Sequence, residues 1–126
     1  MSAVIYDAGV LIAADRNARH VWADHRVRLE SGIVPTVPAP VIAQASRSPA
    51  QVQLRRLLRG CETVAMTEES AHAAGHLLGR AGTADITDAA VACAAAERHA
   101  DVITSDPGDI SRLLQAARCA SKVIAV

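Results

Sequence analysis

Short, mostly apolar runs alternate along this chain with longer stretches of helical periodicity. The runs fall at residues 3–6, 33–37, 62–66, 102–104 and 122–126. A run of three to five residues is too short for a stable helix but suits a strand buried on both faces. Strands alternating with helices predict a mostly parallel sheet flanked by helices. The helical segments are read at 8–15, from an Asn17 cap to about Glu30 with Gly32 as its stop, and at 38–46. Others are read from Ser48-Pro49 to Gly60, from a Thr67 cap to about Gly82, from Thr83 or Asp85 to about His99, and at 110–117. Pro35 interrupts the second run, which weakens its pairing.

The 126 residues fit one domain. Half of them are hydrophobic (51%), yet only 2% are aromatic. The core must therefore be built from Ala, Val, Leu and Ile, and stacking of bases on aromatic rings is not available as a main binding device. Lys plus Arg and Asp plus Glu balance at 13 each. Net charge gives no sign of a nucleic-acid partner, but the charges are unevenly spread. Arginines gather at Arg16, Arg19, Arg26, Arg28, Arg47, Arg55, Arg56 and Arg59, and aspartates at Asp85, Asp88, Asp101, Asp106 and Asp109. A basic face beside an acidic pocket is compatible with overall neutrality. Cys61, Cys93 and Cys119 are odd in number and form no CxxC pair. They read as reduced, mostly buried small side chains of a soluble, cytoplasmic protein. No apolar stretch is long enough for a membrane span, and none has the form of a signal peptide.

The carboxylates carry the chemistry. Ligands of an open parallel sheet bind beyond the carboxyl ends of its strands. Asp7 stands just past the first run, and Asp106 just past the fourth with Asp109 following. Asp85 and Asp88 are three apart at a helix start and so share a face. Carboxylates converging there repel one another unless a cation sits among them, and oxygen ligands suit Mg²⁺ or Mn²⁺. Each residue also has a purely structural role open to it. Asp7 and Asp106 fit turns, and Asp85 and Asp109 fit helix caps. Asp88 faces the apolar stripe of its helix, where an unpartnered carboxylate is costly.

Four segments, YDAGVLIAA from Tyr6, PAPVIAQASR from Pro38, TDAAVACAA from Thr87 and ITSDPGDISRLL from Ile103, occur in an order that resembles PIN-domain ribonucleases. Within that group the chain is most similar to VapC-type toxins of bacterial toxin–antitoxin pairs, and the resemblance spans essentially the whole chain. It implies a PIN-like three-layer α/β/α domain with a central, mostly parallel sheet. It also implies an endoribonuclease dependent on Mg²⁺ or Mn²⁺. Asp7, Asp88 and Asp106 match the metal-holding carboxylates, Asp109 an additional acid and Asp85 an accessory one. The departure is Gln44, where many such chains carry Glu. Gln44 keeps a carbonyl that can orient water or a ligand, but it brings no charge. Ser105 or Thr104 is placed to hydrogen-bond a site carboxylate. Arg16, Arg19, Arg47 and Ser105 are candidate contacts to RNA phosphates, against the plainer reading of solvated surface groups.

The partners that the resemblance implies are an RNA substrate, a cognate antitoxin and a second copy in a homodimer. The competing reading is a catalytically weakened module that grips RNA or an antitoxin, with Gln44 as its mark. A phosphoacceptor receiver domain, also α/β with clustered Asp, is disfavoured. Its mid-sheet Asp has no counterpart at Met66-Thr67, and the only lysine is Lys122, in the last run.

Overall fold

A computed structural model describes residues 3–126. It contains β1 (Val4–Tyr6), α1 (Ala8–Asp15), α2 (Arg19–Glu30), β2 (Thr36–Pro38), α3 (Ala39–Ala45), α4 (Val52–Arg59) and β3 (Glu62–Val64). There follow α5 (Glu68–Ala81), α6 (Ile86–Arg98), β4 (Asp101–Thr104), α7 (Pro107–Ala116) and β5 (Val123–Ala125). The five strands form one sheet in the order β3-β2-β1-β4-β5, and every pairing is parallel. Ile5 stands opposite both Thr36 and Val102 at its centre.

This order explains the layers. The chain moves outward from β1 to β2 to β3, then returns across the sheet to β4 and β5. Right-handed crossovers place helices of the two directions on opposite faces. Accordingly, α1 packs with α2, α3 and α4, while α5, α6 and α7 pack together on the other side. The direction changes between β1 and β4, so a crevice opens beyond their carboxyl ends.

The core follows the aromatic-poor composition. Ile5, Val37 and Val102 are wholly buried in the sheet, and Ala89, Val91, Ala92 and Ala95 are wholly buried on α6. Alanines at this spacing let a helix approach a sheet closely. Each buried Val, Leu or Ile stabilises by about 1.5–3 kcal/mol relative to an exposed one. Tyr6 ties α2 to the sheet. Its hydroxyl lies 2.9 Å from His25 Nδ1 and accepts from Arg28 Nη1 at 3.1 Å. Burial pushes the Tyr6 hydroxyl up to about 12, and burial followed by the Arg28 charge lowers His25. The phenol and the imidazole share the one hydrogen bond between them.

Several boundaries differ from the sequence reading. The second strand is 36–38 rather than 33–37, because Pro35 precedes it and offers only its carbonyl, to Glu62 N–H at 2.8 Å. Asn17 does not cap α2. It takes a left-handed φ of 59° while its N–H bonds back to Ala14, and Ala18 holds the cap position without a side-chain bond. The segment after Ser48 is a turn, and α4 begins only at Val52. The last helix starts at Pro107, so Asp109 lies inside its first turn rather than capping it. Thr67 caps α5 as read, in a reciprocal pair with Ser70. The three thiols are free but half-buried, less enclosed than expected.

Candidate active site

Asp7 leaves β1 directly into α1, and it is buried at 5% exposure. Both of its oxygens are engaged. Oδ1 accepts the Ala8 N–H at 2.8 Å, and Oδ2 accepts the Thr104 hydroxyl at 2.6 Å. Thr104, also buried, accepts in turn from the Asp106 N–H at 2.9 Å. One threonine at the end of β4 thus links the two strand-end aspartates. Between Ser105 and Thr104, it is Thr104 that bonds the site carboxylate. Ser105 is exposed and lies against Gly9, where a Cβ would sit 2.1 Å from Ser105 Oγ. No side chain larger than hydrogen fits there without moving the β4–α7 turn.

The opposite wall comes from α6. Asp85 holds its N-cap position and accepts the Asp88 N–H at 2.9 Å. Asp88, a half-buried residue in the first turn, then faces the strand ends. One carboxylate oxygen each from Asp88, Asp106 and Asp109 lies within 4.8 Å of the others. Asp109 is also 3.7 Å from Arg112 in an exposed i,i+3 pair, a weak contact. Burial raises Asp88 to about 7, with the charges of Asp85, Asp7, Asp106 and Asp109 adding to it. Asp106 is also raised, first by its side-chain hydrogen bond with Asp109. All five aspartates thus bear on one cleft, at the sheet edge where the direction of the chain changes.

Gln44 is exposed on the last turn of α3 and lines a groove with Asp15 and Arg16. Arg16 and Arg47 line that groove too, whereas Arg19 opens α2 on the exposed surface. The sequence offered Thr104 only as the alternative to Ser105, and it assigned Gly9 no role; the one signal for Gly9 was a glycine two residues after Asp7.

The cleft fits a hard divalent cation. Its donors are all carboxylate oxygens, they converge within ligand-sharing distance, and Asp88 is raised by burial first and then by four neighbouring carboxylates.

Fold and cleft together define a PIN-like α/β domain with an acidic site at its topological switch point. No family model matches this sequence, and no curated protein matches it. Solved structures do. A chain of VapBC2 from Rickettsia felis, bound to a promoter DNA fragment, superposes with a TM-score of 0.71 at 13% identity, over 98% of each chain. A chain of DNA-bound VapBC from Salmonella typhimurium gives 0.67 at 17% identity, over 99% of this chain and 98% of that one. PAE2754 from Pyrobaculum aerophilum gives 0.64 at 15%, over 93% and 98%. The fold implied by the resemblance is the fold found. No helix among the described residues is long and apolar enough to cross a membrane.

Proposed function

We propose that this chain is the toxin of a VapBC-type toxin–antitoxin pair and acts as a metal-dependent endoribonuclease. The observation that carries this reading is the convergence of Asp88, Asp106 and Asp109, with Asp7 and Asp85 alongside, at the switch point of a fold shared with chains of toxin–antitoxin complexes.

Asp88, Asp106 and Asp109, backed by Asp7, would hold Mg²⁺ or Mn²⁺. When bound, such a cation supplies Lewis acidity toward a phosphodiester and the water that attacks it. The residues of the chain do the rest. Thr104 fixes Asp7 and the Asp106 backbone in one arrangement. Asp85 orients the first turn of α6. Burial and the neighbouring carboxylates hold Asp88 up to about 7, so near neutral pH it is divided between its two forms, and a bound cation would favour the ionised one. Gln44 lines the groove at the end of α1 and brings no charge to the site. The reading implies RNA as substrate, an antitoxin as partner and self-association in a homodimer.

The test is cleavage of total bacterial RNA by antitoxin-free protein with Mg²⁺ or Mn²⁺, with EDTA, and with Asp7→Asn. Discrete metal-dependent fragments that vanish in the variant support the enzyme. Folded protein that binds RNA without cutting it would shift the assignment to the weakened binding module.

A further inference from the structure

Beyond the aspartates lies an open groove of about 380 Å³, with Asp15, Arg16, Gln44, Arg47, Ser48 and Gln51 along it. A second groove of about 370 Å³ shares Arg47, Ser48 and Gln51 with the first and continues to Arg55 on α4. The two form one trough running from the end of α1 across the α3–α4 turn.

The floor of the trough is fixed by one side chain. Gln51 Oε1 accepts the Arg47 N–H at 2.6 Å and the Ser48 N–H at 2.9 Å. Its Nε2 donates to Asp15 Oδ2 at 3.0 Å and to the Ala45 carbonyl at 3.1 Å. The turn is thereby stapled to α1 and α3. The one carboxylate in the trough, Asp15, is occupied by an amide rather than by an arginine. Arg47 is held as well. Its Nη1 donates to the carbonyls of Ala43 at 3.1 Å and Ser46 at 2.8 Å, which leaves the Nε and Nη2 donors free for a ligand. Among the described residues, Arg16, Arg47 and Arg55 form no ion pair. The trough therefore presents unpaired guanidinium groups over a rigid floor, with no aromatic ring to stack a base.

The trough and the acidic cleft are joined by α1. Asp7 stands at one end of this 8-residue helix and Asp15 at the other. Its length is ~12 Å at ~1.5 Å per residue. That is about three or four steps of a stacked strand at roughly 3.4 Å per step.

We infer that this trough is the track for the RNA backbone beside the cut, gripping phosphates through Arg16, Arg47 and Arg55 without reading bases. The inference rests on the ribonuclease reading and names how that site holds its substrate. Arg19 and Ser105 do not line the trough and are not part of this grip.

The experiment measures binding of a labelled single-stranded RNA to the full chain in EDTA, where no metal-dependent cutting intervenes. Arg16→Gln and Arg47→Gln should each weaken binding several-fold. Each should also flatten the slope of log affinity against log salt by about 0.7, the value for one single-strand phosphate contact. Arg80→Gln on α5 is the control and should change neither. Trough variants that behave like Arg80→Gln would overturn the inference. So would a polyglutamate peptide that binds wild type as tightly as RNA and is lost in the same variants, since the trough would then serve an acidic protein segment. Failure of this binding leaves the cleavage test on Asp7→Asn untouched, so the two readings fail separately.

Discussion

Asp7 and Asp88 share a cleft but are held in opposite ways. Both oxygens of Asp7 accept hydrogen bonds, whereas Asp88 is half-buried among four other aspartates and pushed up to about 7 from an ordinary 3.8. The sign of the consequence follows from linkage. Between about pH 4 and pH 7 the unfolded chain has released this proton while the folded metal-free chain keeps it. Metal-free protein should therefore lose stability as pH rises through that window and stay at the lower level above it. Thermal melts in EDTA across pH check this, and Asp88→Asn should flatten the profile while abolishing metal-dependent cleavage. A melting profile that is no flatter in Asp88→Asn would refute the assignment. The converse holds for the cation, since Mn²⁺ should raise the melting temperature more at pH 8 than at pH 5. Thr104 belongs to the same scale. Thr104→Val strips Asp7 Oδ2 and the Asp106 N–H of their partner, and should cost about 1–3 kcal/mol in urea unfolding. Thr104→Ser, which keeps the hydroxyl, should recover most of it.

At the scale of elements, two glycines make opposite predictions. Gly9 faces Ser105 so closely that Gly9→Ala must displace the β4–α7 turn carrying Asp106. The variant should be less stable and should lose cleavage. Gly75, within α5, has open space around its position. Gly75→Ala should therefore stabilise the fold by roughly 0.5–1 kcal/mol, as expected for glycine in a helix interior. Comparing the two melts under one buffer tests both. The elements themselves were readable where local chemistry sets them. Thr67 caps α5 through its own hydroxyl, and Asp85 caps α6 through a carboxylate oxygen. The boundaries that shifted are those set by distant partners. The Ser48–Gln51 turn looks like a helix start, yet Gln51 holds it open by reaching Asp15, 36 residues away. Gln51→Ala should let this turn loosen, visible as faster amide exchange at Arg47 and Ser48, whose N–H groups lose their acceptor.

Over the whole molecule, the acidic cleft was legible because a parallel sheet gathers strand ends at one edge. Asp7 and Asp106 needed only their positions after apolar runs to be placed together. Asp88 was legible from its place on an alanine-rich stripe where a lone carboxylate has no structural excuse. The resemblance implied the fold, and solved structures at 13–17% identity share that fold. What sequence could not show was the trough, because it is made by side chains from α1, α3 and α4 meeting through one glutamine. Nor could it show that Gln44 would line this trough.

The bond from Thr104 to Asp7 joins residues 97 apart in sequence. β4 and the turn after it are needed before either side of that bond can settle. A nascent chain still lacking them holds Asp7 with one oxygen unclaimed, and Asp106 and Asp109 have yet to emerge. The acidic cluster thus cannot assemble until the segment carrying Asp106 and Asp109 has been made, however early Asp7 and Asp88 leave the ribosome.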